Sequence, residues 1–245
     1  LAGLDRLVLP GEPLPRHDAY SLLLSLPGAL GTTLPFVPGQ TPYLKAPAEH
    51  MARWSARLGP KSRMRIGLVW RGSDGGSSLD RNRSLSLARL LAALPDGCEY
   101  LSLQKELNHA DRHTLAAHPG LRHCGDDISD FADTAALCQS CDLVISVDTS
   151  VAHLAGALGR PLWVLLPFRP DWRWLLGRGD SPWYPTARLF RQPAPGDWDG
   201  ALSAVGTALE ALLPGTSRPR TGRADKLLEA GRRPTRGPLL RYRYR

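Results

Sequence analysis

Residues 142–168 read D-L-V-I-S-V-D-T-S-V-A-H-L-A-G-A-L-G-R-P-L-W-V-L-L-P-F, and this stretch decides the fold. Leu143 to Val147 is a short, almost wholly apolar run rich in β-branched residues, the pattern of a strand covered on both faces. Asp148, Thr149 and Ser150 then switch the chemistry to small polar groups, and either Asp148 or Thr149 suits a helix N-cap. Val151, Leu154, Ala155 and Leu158 recur at helical spacing. Gly159 supplies a left-handed stop, and Pro161 sits two residues beyond it. Leu162 to Leu166 is a second buried strand. Strand, polar turn, helix and strand make a βαβ unit, whose crossover is right-handed.

The turn inside this unit is the candidate site. Ligands of open parallel sheets bind beyond the carboxyl ends of the strands, where helix N-termini point into the crevice. The amides of Thr149, Ser150 and Val151, reinforced by the helix dipole, suit an anion, and His153 in the first turn adds a donor. The same spacing also fits a plainer reading, in which Asp148 and Thr149 only cap the helix and His153 is a surface residue.

Outward from the unit, the pattern repeats. Residues 46–59 read as a helix with Met51, Trp54 and Leu58 on one face and Gly59-Pro60 as its stop. Strands are predicted at Met64 to Trp70, Glu99 to Leu103, Leu121 to Cys124 and Arg188 to Gln192. Helices follow around Leu87 to Leu94, Ala110 to Ala117 and Phe131 to Cys138, the last capped by Ser129 or Asp130. These alternations define an α/β domain with a mostly parallel sheet. The first strand runs into the glycine-rich loop 71–78 and then Asp80-Arg81-Asn82-Arg83-Ser84. Such loops let amides approach phosphates, and Arg81 and Arg83 add forked donors. The loop lacks both the dinucleotide fingerprint and the Walker pattern, so a plain surface loop fits it as well. Lys105, behind Gln104 at a strand's carboxyl end, faces either the crevice or solvent. After the central unit, Trp172, Trp174, Trp183 and Tyr184 crowd a loop with Arg169, Arg173, Asp171 and Asp180. Rings beside guanidinium groups suit stacking on a base or sugar, or else cover the edge of the core. Asp197 to Leu213 is an amphipathic helix.

Charge is unevenly placed. The formal net charge is +8, but residues 215–245 hold ten basic and two acidic residues, leaving 21 of each sign in residues 1–214. The body is neutral, so the overall charge carries no argument for a nucleic-acid surface on the fold. The Arg-, Pro- and Gly-rich tail has no period and reads as disordered, with nonspecific nucleic-acid contact at most. No run of 18 apolar residues predicts a membrane span, and the default expectation is a cytoplasmic protein. Cys138 and Cys141 have C-x-x-C spacing without a second pair and read as small packing residues. His109 and His113 flank Asp111 without forming a zinc motif.

With those stretches in view, together with S-L-P-G-A-L-G-T-T at 25–33, G-L-V-W at 67–70, D-R-N-R-S at 80–84, S-L-Q-K at 102–105, D-F-A-D-T-A-A-L at 130–137, D-W-R-W-L-L at 171–176 and D-S-P-W-Y-P at 180–185, a resemblance emerges. The chain resembles the C-terminal part of bacterial tetratricopeptide-repeat glycosyltransferases, whose catalytic region is similar to the family 9 heptosyltransferases and more distantly to O-linked N-acetylglucosamine transferases. The match spans about residues 15–213. It implies a GT-B fold, with a Rossmann-like, mostly parallel sheet in residues 63–195 as the nucleotide-sugar domain. Residues 1–45 would be a remnant of the acceptor-side domain, 46–62 a linker helix, 196–214 a terminal helix crossing back toward the partner domain, and 215–245 the tail.

The resemblance further implies metal-independent transfer from a nucleoside-diphosphate sugar, with no other cofactor, to an unknown protein or glycan acceptor. Donor-site residues would be Trp70, Arg71, Gly72, Arg81, Arg83, Gln104, Lys105, Asp148, Thr149, Ser150 and His153, with Asp171, Trp172 and Trp174 as stacking candidates. The general base would lie upstream, in a portion this chain lacks. A non-catalytic nucleotide-sugar-binding module and a nucleotide-sugar epimerase of the same fold are the alternatives. Because the tail is isolated in charge and without periodicity, deleting residues 215–245 is expected to leave the thermal unfolding midpoint unchanged. A clear drop would show that the tail packs on the body.

Overall fold

In the computed structural model, which describes residues 5–34, 37, 40–72 and 82–213, the predicted strands form one parallel sheet. They are β1 (Arg65–Val69), β2 (Glu99–Ser102), β3 (Leu121–His123), β4 (Leu143–Val147), β5 (Leu162–Leu166) and β6 (Ala187–Arg191). Their spatial order is β3-β2-β1-β4-β5-β6, and every neighbouring pair is parallel. The order reverses between β1 and β4, so the crevice of an open α/β sheet lies beyond the carboxyl ends of those two strands.

The helices are α1 (Leu26–Ala29), α2 (Ala48–Leu58), α3 (Leu87–Ala92), α4 (His109–Ala117), α5 (Phe131–Ser140), α6 (Ser150–Ala157) and α7 (Trp198–Glu210). Because side chains alternate along a strand, each strand feeds two cores. Val144 and Val164 pack on one face with Trp54, Leu137 and Ala155 of α2, α5 and α6. Ile145 and Leu165 pack on the other with Leu87, Leu90, Leu202 and Val205 of α3 and α7. Each fully buried aliphatic side chain contributes about 1.5–3 kcal/mol by leaving water.

Two of the stretches around the sheet pack on it. α2, the stretch expected to link domains, forms a layer of this domain. Trp54 and Leu58 enter the core, and Trp54 Nε1 donates to the buried carboxylate of Asp133 at 3.0 Å. That carboxylate also accepts from the amide and hydroxyl of Ser129 and pairs with Arg53. α7, in the stretch expected to cross back toward a partner domain, packs here as well. Its stripe of Trp198, Ala201, Leu202, Val205 and Leu209 is covered by this domain's own sheet. Arg89 of α3 pairs with Asp199 at 2.8 Å along its side.

The segment before α2 differs in kind. Residues 5–34 contribute no buried residue, and Leu22, Leu23 and Leu24 are all exposed. Attachment begins at Tyr43 and Leu44, whose amides donate to Ala157 O at 3.0 and 3.2 Å, and at Ala46, whose amide reaches Gln139 Oε1. The glycine-rich loop at 73–80, Arg81 and the tail lie outside the described residues. Among the described residues, no helix is long and apolar enough to cross a membrane.

Gly125, in the turn after β3, is a close-approach glycine. A Cβ there would overlap the Gln104 carbonyl and the His123 ring, whereas one at Gly120 meets nothing within 4 Å. Gly125→Ala is expected to lower unfolding free energy by about 1–3 kcal/mol in urea titration, as overpacking does. Gly120→Ala is expected to stay within about 0.5 kcal/mol. Equal values for the two would remove the packing argument.

Candidate functional site

The cleft opens where the sheet order reverses and has a volume of about 490 Å³. One wall is the end of β1 with Arg71, Gly72 and Arg83, and the opposite wall carries Thr149, Ser150 and Val151. Gln104, Lys105 and Glu106 close a third side, with Ile128 to Phe131 and Thr134 beyond them.

The turn after β4 is built to leave a helix end open. Thr149 is the N-cap of α6 by position, yet its side chain makes no capping bond. Its hydroxyl instead lies 3.0 Å from Ser146 Oγ, inside the protein. Asp148 does not cap either, because its carboxylate faces His153 Nε2 at 3.6 Å. Among the described residues, the Ser150 and Val151 amides at the start of this eight-residue helix, in a stretch that lines the cleft, have no side-chain acceptor, while the Ala152 amide is held by Thr149 O at 3.0 Å; the dipole there favours an anion. The expectation of a capping Asp148 or Thr149 is corrected accordingly.

Burial alone would raise the Asp148 pKa. Hydrogen bonding from His153 and the Trp174 indole, with the charges of His153 and Arg83, outweighs it and holds the carboxyl below its ordinary range. The indole contribution is the weaker one, since the buried Trp174 Nε1 makes no full hydrogen bond. Arg83 reaches across to the same turn, Nη1 donating to Asp148 O at 2.7 Å.

His153 itself is turned away from the cleft. Its Nδ1 lies 3.0 Å from Tyr184 Oη, and its ring stacks on Trp174 with centroids 5.1 Å apart. Both nitrogens thus address protein groups, and the expected direct donor to an anion becomes a support for the turn.

The other predicted residues divide. Arg71, Gly72, Arg83, Gln104, Lys105, Thr149 and Ser150 meet around the cleft. Trp70 does not. It is fully buried, and its Nε1 donates to Asp111 Oδ1 at 3.0 Å while Arg71 Nη1 reaches the other oxygen at 3.2 Å. Gln104 Oε1 accepts from the amides of Trp70 and Arg71, so it fixes the end of β1. Gly72 donates its amide to Ser84 Oγ. Lys105 Nζ donates to Ile128 O at 3.0 Å and approaches Ser129 O at 3.4 Å, which ties β2 to the start of α5. Arg81 lies outside the described residues.

The stacking trio is also revised. Trp174 is 0% exposed and belongs to the core, because the 3-10 turn at Trp172–Trp174 drives it under His153. Asp171 caps that turn and holds Arg173 at 2.9 Å. Trp172 remains at the surface, 62% exposed, with the Arg173 guanidinium 4.6 Å from its ring centre.

Sequence reasoning gave no site role to Asp111, Phe131 and Thr134, read Ser129 only as a possible cap and Tyr184 only as one of a group of rings suited to stacking or to covering the core. Asp111 had a signal in Asn108-x-x-Asp111, a capping box, but nothing local tells that its carboxylate serves Trp70. The Asp197-x-Asp199 spacing, a pattern that can hold a metal and that the sequence reading passes over, is structural. Asp197 caps α7 and Asp199 pairs with Arg89. His50, Asp130 and Asp133 offer ligand atoms within 4.8 Å of one another. The Asp133 carboxylate there is committed to Trp54, Ser129 and Arg53, so the group reads as an ion-pair cluster. Burial raises the thiols of Cys124 and Cys138 to about 11 and about 12, which leaves them unreactive packing groups.

Comparison with known proteins adds the class. Residues 128–166, from the cleft wall through α6 to the end of β5, match the profile of glycosyltransferase family 9 (heptosyltransferase). That match is to a glycosyltransferase family, and the parallel sheet has the fold of a GT-B heptosyltransferase. The chain is 29% identical over 206 residues to protein FlbA of Caulobacter vibrioides, covering 79% of this chain and 33% of FlbA. Among solved structures, it is similar to the E. coli ADP-heptose lps heptosyltransferase II. That match has a TM-score of 0.52, 20% identity and coverage of 73% of this chain and 56% of the other. The wall teichoic acid polymerase TagF matches over 47% of this chain and 28% of its own, with 17% identity and a TM-score of 0.32. The chain thus spans only part of each of these proteins.

The depressed Asp148 pKa has a stability consequence. A carboxyl with a lowered folded pKa contributes stability that is present above the unfolded value of about 4 and is lost as pH falls through the folded value. Asp148→Asn is therefore expected to flatten the acid limb of melting temperature against pH below about pH 4. An acid limb identical to wild type would assign the effect to other carboxylates.

Proposed function

We propose that the cleft between β1 and β4 binds the diphosphate of a nucleotide sugar, and that this chain is the donor-binding half of a metal-independent GT-B glycosyltransferase. The carrying observation is the uncapped first turn of α6 at the point where the sheet order reverses. Anion-binding helix ends of this kind take phosphate groups through backbone amides.

In the proposed reaction the bond from the anomeric carbon to the leaving diphosphate breaks as the bond to an acceptor atom forms. Negative charge grows on the diphosphate oxygen. Fixed donors that need no reorganisation stabilise that charge best in a cleft shielded from water. Here they are the first-turn amides, the Ser150 hydroxyl and the guanidinium of Arg83, with Lys105 on the facing wall. Arg81 is a further candidate from the sequence. Ile128, Phe131 and Thr134 line the remaining wall, which suits the nucleoside. Trp172 is the surface ring available for stacking.

The proposed acceptor half and general base belong to a portion upstream, by analogy with a repeat-bearing enzyme. The relation to FlbA, of which the chain covers 33%, supports reading it as part of a longer protein. Residues 5–34, with their exposed leucines, supply no second cleft wall of their own. Transfer needs donor and acceptor held together, an arrangement that can contribute roughly 7–11 kcal/mol.

Titration of nucleosides, nucleoside diphosphates and nucleotide sugars is expected to show diphosphates binding more tightly than nucleosides. Arg83→Met and Lys105→Met are each expected to weaken the diphosphate by about 10- to 100-fold, the loss of one charge-assisted contact, and the nucleoside less. Equal losses on both ligands would move the phosphate site elsewhere. In transfer assays, a chain extended upstream is expected to outpace this one. Equal turnover would overturn the half-enzyme reading, and isomerisation of free nucleotide sugar would favour an epimerase.

A further inference from the structure

Tyr184 belongs to the loop before β6, far from α6 in sequence, yet it is built into the underside of the candidate site. Its ring lies against Gly156, where any Cβ would overlap the ring carbons. That contact sets the hydroxyl one turn back along α6, at 3.0 Å from His153 Nδ1. Trp174 covers the imidazole face at 5.1 Å with the planes 20° apart. The second nitrogen is then left facing Asp148 Oδ1 at 3.6 Å. One ring stack and two polar contacts determine the orientation of a single imidazole.

The consequence concerns Asp148. An aspartate immediately before a helix N-cap has free first-turn amides within its reach, and a carboxylate there would compete with any incoming anion and repel it. In the structure this carboxylate does not cap α6, but faces His153. The Asp148 carbonyl meanwhile holds Arg83 Nη1 at 2.7 Å, so the same residue fixes a cation of the opposite wall. Burial, followed by the neighbouring Tyr43 hydroxyl, raises the Tyr184 pKa, so the phenol keeps its proton. With the phenol as donor to Nδ1, rather than to the Tyr43 hydroxyl beside it, His153 carries its own hydrogen on Nε2, on the side of Asp148.

We propose that Tyr184 is a positioning residue for the donor site: acting through His153, it draws the Asp148 carboxylate off the first turn of α6 and so keeps those amides open to a diphosphate. This rests on the reading of the cleft as a diphosphate site. Tyr184 does not line the cleft, so its effect on ligand is carried entirely by His153 and Asp148.

The test uses the full chain with a nucleoside diphosphate and the matching nucleoside, and reads the imidazole directly by long-range proton–nitrogen NMR. Wild type is expected to show His153 at neutral pH with the hydrogen on Nε2 and a hydrogen-bonded Nδ1. Tyr184→Phe is expected to shift the Nδ1 resonance and to weaken the diphosphate about tenfold more than the nucleoside. Adding Asp148→Asn to Tyr184→Phe is expected to recover most of that loss, because the neutral amide no longer repels the anion.

An unchanged ratio of the two affinities in Tyr184→Phe would overturn the proposal, as would the same loss with and without Asp148→Asn. If Tyr184→Phe does not fold, the wild-type spectrum decides, since a neutral His153 protonated on Nδ1 contradicts the arrangement. Failure of wild type to bind any nucleoside diphosphate overturns the donor-site reading instead, and the spectrum still reports separately on the link from Tyr184 to His153.

Discussion

Everything in the cleft depends on a helix whose natural caps are occupied elsewhere. Thr149 turns its hydroxyl to Ser146 and Asp148 its carboxylate to His153, so α6 begins with amides that no side chain among the described residues satisfies. Leaving such a terminus without a cap forgoes about 0.5–2 kcal/mol of helix stability. The rest of the site compensates by rigidity. Gln104 fixes the end of β1, Arg83 is tied to the Asp148 carbonyl, and Lys105 bridges β2 to the start of α5. A cavity between fixed walls keeps its donors aimed before anything binds, which is the condition for stabilising charge without reorganisation.

Two buried carboxylates support those walls from opposite faces of the sheet. Asp111 accepts from the Trp70 indole and from Arg71, and Asp133 accepts from the Trp54 indole and Ser129 while pairing with Arg53. Each is an ionised group taken out of water, tolerable only with its partners in place, and breaking such a pair costs about 3–5 kcal/mol. The tryptophans divide in the same way: Trp54, Trp70 and Trp174 place their rings in the core, and Trp172 stays at the surface.

The parallel sheet sets this domain among GT-B folds. The family 9 match covers the β4–α6–β5 unit and the wall before it, the same residues that form the open helix end. The helix expected to reach a partner domain is folded back on its own sheet, and α2 serves as a layer of the domain. Both helices therefore hold the cleft in shape from within.

The strands, most helices, the βαβ unit and the polar turn at Asp148 to Ser150 were legible in the residues themselves. Apolar periodicity, glycine stops and β-branched runs are local signals, and they placed each strand of the sheet within a residue or two. Arg71, Arg83, Lys105, Thr149 and Ser150 were legible for a related reason, since a strand's carboxyl end is known once the strand is. What the residues did not disclose was which of two available partners each polar group takes. Tyr184 meets His153 across 31 positions, Trp70 meets Asp111 across 41 and Trp54 meets Asp133 across 79. Those pairings follow from strand order and from the face of the sheet each side chain enters. Only the packed sheet settles them, because a capping residue, a stacking ring and a buried anchor look alike until their neighbours from distant parts of the chain arrive.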